Sequence, residues 1–142
     1  MQPYYLCRMK IFCAVLIPVL FCISCTHPNK EIKVRIANAD SVAINYFRGD
    51  GTMDTVVAIK IIHDKQKIDQ LVNLISAQTA QVNNKCGYDG SLHFFKMNKV
   101  VQDIDFRIGQ QGCMYFLFTQ DGVQKATELS TGAKELLLAL RN

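Results

Sequence analysis

Charge is scarce in this chain, and neither sign dominates. Only 20% of its 142 residues are charged, 49% are apolar, and the net charge of +4 comes without a basic cluster. Disordered segments are poorer in apolar residues, and a nucleic-acid surface needs clustered cations, so neither class fits and no nucleic-acid partner is expected. A bilayer crossing takes about 20 apolar residues in helix. The apolar run from Ile11 to Ile23 has 13. Also missing are a Gly-rich phosphate loop, a Gly-x-Ser-x-Gly, basic residues interleaved with aromatics, an internal repeat and a second linker. Cysteine is absent from most of the chain: Cys7, Cys13, Cys22 and Cys25 crowd the start, and only Cys86 and Cys113 follow.

What is present begins with a leader. Arg8 and Lys10 precede the apolar run, Ser24 and Cys25 follow it, and Thr26 to Glu31 contains no apolar side chain except Pro28. This is the layout of a signal peptide, with Met9 an alternative start to Met1. A Cys directly after a small residue at the end of such a run resembles the lipobox of bacterial lipoproteins, with Cys22 and Ile23 departing from the usual pattern. The resemblance implies acylation of Cys25, cleavage just before it, and localisation in the bacterial cell envelope, attached to the membrane through acyl chains. The competing readings are an ordinary secretory leader and a retained anchor. Removing residues 1–24 takes away two basic residues and no acidic one, which halves the net charge to +2. The expected organisation is a signal peptide over 1–24, the acylated Cys and a short tether over 25–31, and one domain over 32–142.

Alternation predicts strands at Ile32, Val34 and Ile36, at 42–46, and at 55–62, where Val57, Ile59 and Ile61 share a face. Asp64 caps a predicted helix carrying Ile68, Leu71, Val72 and Ile75 on one side and ending near 77–80. Four strands follow: 92–97, 100–108 after a turn at Asn98-Lys99, 113–118, and 123–129 after Asp121-Gly122. Ser130 or Thr131 caps a last helix burying Ala133, Leu136, Leu137 and Leu140. In the second of these strands Ile104, Phe106 and Ile108 point one way and Asp103, Asp105 and Arg107 the other, so one sheet face meets solvent. The expected fold is α+β: a mostly antiparallel sheet of six or seven strands in the order βββ-α-ββββ-α, with two helices on one face.

Cys86 and Cys113 are two thiols in an exported chain, where such a pair normally closes as a structural disulfide. A reduced buried pair and thiol chemistry are the alternatives, and no Cys-x-x-Cys occurs beyond Cys25. Cys86, Asp89 and His93 contain the groups of a thiol protease, crowded into eight residues. His27, His63 and His93 are too scattered for a metal set. Arg48-Gly49-Asp50 matches an adhesion tripeptide and equally a hairpin turn. Phe94 and Phe95 must face opposite sides of their strand, as must Tyr115 and Phe116, so an outer aromatic strip competes with cover by a loop.

The stretch Lys85-Cys86-Gly87-Tyr88-Asp89-Gly90-Ser91-Leu92-His93-Phe94-Phe95, with a later Cys in an aromatic strand, resembles a pattern of small uncharacterised lipoproteins of Bacteroidota-type bacteria, over roughly Ile59 to Leu140. The resemblance implies a secreted α+β fold and a paired Cys, and transfers no catalytic residue and no cofactor. The expected function is a non-enzymatic binding or accessory module whose open sheet face, with Asp103, Asp105 and Arg107, meets a protein or small-ligand partner. The alternatives are an inhibitor or immunity-type protein and a small envelope hydrolase or redox enzyme using Cys86. A pocket gathering Cys86, His93 and a carboxylate would favour the enzyme.

Overall fold

The computed structural model describes residues 28–49, 55–82, 85–109 and 112–142. The expected leader, Cys25, and Asp50 of the Arg-Gly-Asp tripeptide lie outside them. Three helices and seven strands follow in the order α1 (Pro28–Ile36), β1 (Ser41–Phe47), β2 (Val56–Ile62), α2 (Lys65–Asn73), β3 (Ile75–Thr79), β4 (Gly90–Lys96), β5 (Lys99–Ile108), β6 (Met114–Gln120), β7 (Val123–Leu129) and α3 (Thr131–Arg141). All neighbouring strands pair antiparallel, in the spatial order β2-β1-β4-β5-β6-β7-β3. The fold is α+β, as expected, with three helices where two were expected.

Two elements differ from the sequence reading. The stretch at Ile32 to Ile36 is helical. Ile32 and Ile36 are four apart, one helical turn, and both are buried, whereas Val34 is exposed. Pro28 opens the helix, Glu31 lies in its first turn, and Lys33 and Arg35 lie in its last, each suited to the helix dipole. The second helix stops at Asn73, short of 77–80, and the following residues form edge strand β3, held to β7 at Ile75↔Leu129 and Thr79↔Thr127. Ile75 is buried in either conformation, so its apolar side chain did not distinguish them.

The caps act as expected. Asp64 accepts hydrogen bonds from Gln66 N and Lys67 N, and Ser130 Oγ accepts from Ala133 N. The β4–β5 turn is Met97-Asn98, one residue earlier than predicted, with both φ values positive (51° and 61°) as a two-residue hairpin loop demands.

One core joins all three helices to one sheet face: Ile32 and Ile36, Ile68, Leu71 and Val72, and Ala133, Leu137 and Leu140 meet Val42, Ile44, Tyr46, Leu92, Phe94, Ile104, Phe106 and Phe116. Tyr46 donates its hydroxyl to Leu137 O at 2.6 Å, and its burial pushes its pKa up to about 12 despite Arg141 nearby. Gly90 is needed in this layer, because a Cβ there would overlap both the Phe106 ring and Asn45 O.

A second, smaller cluster occupies the other face. The described residues between β3 and β4, 80–82 and 85–88, lie over β6 and β7, placing Cys86 with Tyr115, Leu117 and Ala126, and Ala80, Val82, Tyr88 and Cys113 at the margin. Cys86 and Cys113 are disulfide-bonded, with Cα atoms 5.7 Å apart. Closing a loop of this length contributes about 3 to 4 kcal/mol in the chain-entropy picture. Tyr115 and Phe116 are therefore both buried, one under each cover. Among the described residues, the outer face is open across β2, β1, β4 and part of β5, and at Thr119, Gln124 and Glu128 near the ends of β6 and β7.

Candidate functional site

The open half of the sheet is built from two cross-strand rows. One runs Ile61–Ala43–His93–Asp103 and the other Ile59–Asn45–Ser91–Asp105, each residue opposite the next on a neighbouring strand. A register shift between Phe94 and Phe95 is what sets Asp103 opposite His93. Without this bulge the hairpin would pair His93 with Gln102 and turn the aspartates toward the core.

The rows are joined by hydrogen bonds. His93 Nδ1 lies 2.7 Å from Asp103 Oδ1, and Nε2 lies 2.9 Å from Ser91 Oγ and 3.0 Å from Asn45 Nδ2. With Nδ1–H donating to Asp103, the neutral ring presents one lone pair at Nε2, which the Ser91 hydroxyl and the Asn45 amide share. Asp105 stands beside this network, its pKa raised first by burial and then by the Asp103 carboxylate, with His93 opposing.

Ser91, His93 and Asp103 thus have the bonding order of a serine-hydrolase triad. Their exposure runs the wrong way for that chemistry. Ser91 is 4% exposed, while the side chains of His93 and Asp103 are 28% and 64% exposed. The would-be nucleophile is the buried member and the orienting carboxylate stands in water. Asn45 also competes for the lone pair that would take the serine proton, and β4 is held in ladders to β1 and β5 on either side of Ser91, so its backbone N–H groups are committed.

The other predicted residues have local roles. Arg107 Nη1 bonds Asp89 Oδ1, and Asp89 Oδ2 accepts from Ile108 N at 2.8 Å. Both side chains of that pair are largely covered, so Arg107 ties the crossing segment to β5 instead of standing free on the face. Cys86 is bonded, Asp89 is engaged by Arg107, and His93 is engaged by Asp103, so the structure does not assemble the three thiol-protease groups. No cluster of three or more metal-ligating side chains occurs among the described residues.

Beside Asp103 and Asp105 the sheet parts. The β5–β6 ladder stops at Asp105↔Leu117, leaving a cleft of about 310 Å³ whose lining includes both aspartates, Gln102, Leu117, Thr119 and Arg35. Cys86 and His93 are not part of that lining. On the opposite side the rows end in Ile61 and Ile59, 60% and 64% exposed. Sequence reasoning missed Ser91, Asn45 and this apolar rim. The i, i+2 spacing of Ser91 with His93 and of Asp103 with Asp105, across a two-residue turn, was the available signal. Comparison with protein-family models, curated proteins and solved structures gives no match.

Proposed function

We propose that this chain is a lipid-anchored envelope protein that binds a partner through the open half of its sheet, without catalysing a reaction. The observation that carries this reading is the join of an exposed apolar rim to a carboxylate-ended hydrogen-bond network. Large apolar side chains exposed together on a flat sheet favour association, and Asp103 and Asp105 beside a cleft favour a cationic group on the partner. The complementary surface is a protein segment with a Lys or Arg flanked by apolar residues.

Anchoring at Cys25 suits this presentation. Asn29 Nδ2 donates to Ile75 O at 3.3 Å, which ties the start of α1 to edge strand β3. Three residues, 25–27, would reach about 10 Å at most, so an acylated Cys25 would hold the β3 edge near the bilayer. The open half lies toward β2, six strand spacings or about 29 Å across the sheet.

Two measurements test the reading. Cys25→Ser should abolish labelling by a fatty-acid analogue. A partner that binds the native state raises its unfolding temperature, so the chain should melt higher in intact envelopes than after purification. Asp103→Lys should remove that difference, measured against the purified midpoint of the same variant. Equal labelling of the Cys25→Ser chain would refute the anchor, and an unaltered difference in the Asp103→Lys chain would refute the face.

A further inference from the structure

The two edges of the sheet are unlike. Strand β3 is short, meets β7 at two separated pairs with a register shift between them, and exposes Ala77, Gln78 and Thr79. Strand β2 is seven residues long and pairs regularly with β1 from Ala58 to Ile62. It contains no Pro or Gly, and its one charge is Lys60. Native sheets blunt their edges with short strands, irregular pairing, prolines and charges. β3 uses the first two, whereas β2 has a single lysine, one register shift confined to its Val56 end, and four exposed apolar side chains, Val56, Val57, Ile59 and Ile61.

Backbone direction sharpens the contrast. Phe47 N donates to Asp89 O on the β4 side, while Arg48 N donates to Thr55 O on the β2 side. Odd-numbered residues of β1 therefore bond toward β4 and even-numbered ones toward β2. Through Val42↔Ile62, Ile44↔Lys60 and Tyr46↔Ala58 this uses the backbone groups of Ile62, Lys60 and Ala58. The N–H and C=O of Ile59 and Ile61 point outward, away from the sheet.

We propose that β2 pairs antiparallel with β2 of a second copy of this chain, about a two-fold axis through Ile59, joining two sheets into one. The strand is self-complementary in that register. Ile59 meets its own copy as a hydrogen-bonded pair, Val57 meets Ile61 on either side, and Lys60 falls opposite Ala58. Centring the axis one residue later opposes two lysines and aligns backbone groups already spent on β1. The chain's own amino-terminal tether is a poor substitute occupant. In a chain processed before Cys25, three residues precede α1 and reach about 10 Å, while α1 begins beside β3 at the opposite edge. The pairing places the two Asp103-bearing surfaces on one continuous face, with the isoleucines at its centre.

The full chain, made in a bacterial envelope and extracted in mild detergent, provides the test. Sedimentation should give twice the chain mass. A short bismaleimide should link Ile59→Cys into a covalent dimer, and should link neither the chain without the added cysteine nor Val123→Cys, which is exposed at the β6–β7 turn. Ile59→Lys brings two ammonium groups together and should weaken the dimer about tenfold or more, with an unchanged circular dichroism spectrum. A monomer at micromolar concentration, a dimer indifferent to Ile59→Lys, or Ile59→Cys adducts only with a different protein would each overturn the proposal. None of these outcomes bears on the Asp103 test, so the two readings fail separately.

Discussion

Asp105 shows what the network costs at a single residue. Burial and the Asp103 carboxylate raise its pKa, and His93 only partly offsets them. The folded chain therefore holds this proton more tightly than the unfolded chain, and the resulting stability, complete at acid pH, is lost as pH rises through the folded pKa. Asp105→Asn should accordingly raise the thermal midpoint at neutral pH, and the gain should fade below the ordinary aspartate range of about 4. Melting curves across that range check it; a lower midpoint at neutral pH would show that the ionised carboxylate has a favourable partner. Alternation placed Asp103 and Asp105 on the uncovered side correctly. The same alternation could not show that Arg107 is engaged, because its partner Asp89 lies 18 residues away, just before β4, where backbone bonds to Phe47 and Phe106 hold it.

At the scale of elements, legibility followed how many residues agreed on one period. Strands β1 and β4 to β7, the start of α2 and the whole of α3 each had several alternating or helically spaced apolar positions, or a capping side chain, pointing the same way. α1 had three apolar residues, and Ile32 and Ile36 satisfy either period. Val34 decided the matter by facing solvent, 72% exposed. This assignment predicts unequal mutations. Ile36→Ala should cost about 2 to 5 kcal/mol through lost burial and a residual cavity, and Val34→Ala less than about 0.5 kcal/mol, as at other exposed positions. Denaturant unfolding of the two variants measures it, and equal losses would restore the strand. The face shared by Val57, Ile59 and Ile61 was legible, but its exposure was not. Edge position is a property of strand order, which no local pattern encodes.

For the molecule as a whole, cover is divided unequally between the two sides of one sheet. Helices close most of one face, leaving Lys60 exposed at its β2 edge, and a disulfide-pinned crossing segment covers part of the other. The open part combines a rigid strand backbone, a carboxylate that fixes an imidazole, and apolar side chains in water. That division is the reason to look for recognition there and not on the helical side. Photocrosslinking from single positions in intact envelopes tests this most directly, with a photoreactive residue at Asp103 or Asn45 on the open face or at Val34 on α1. Discrete adducts from positions 103 and 45, with none from 34, are the expected result. Adducts from position 34 and none from the sheet would place recognition on the helices and contradict the binding face.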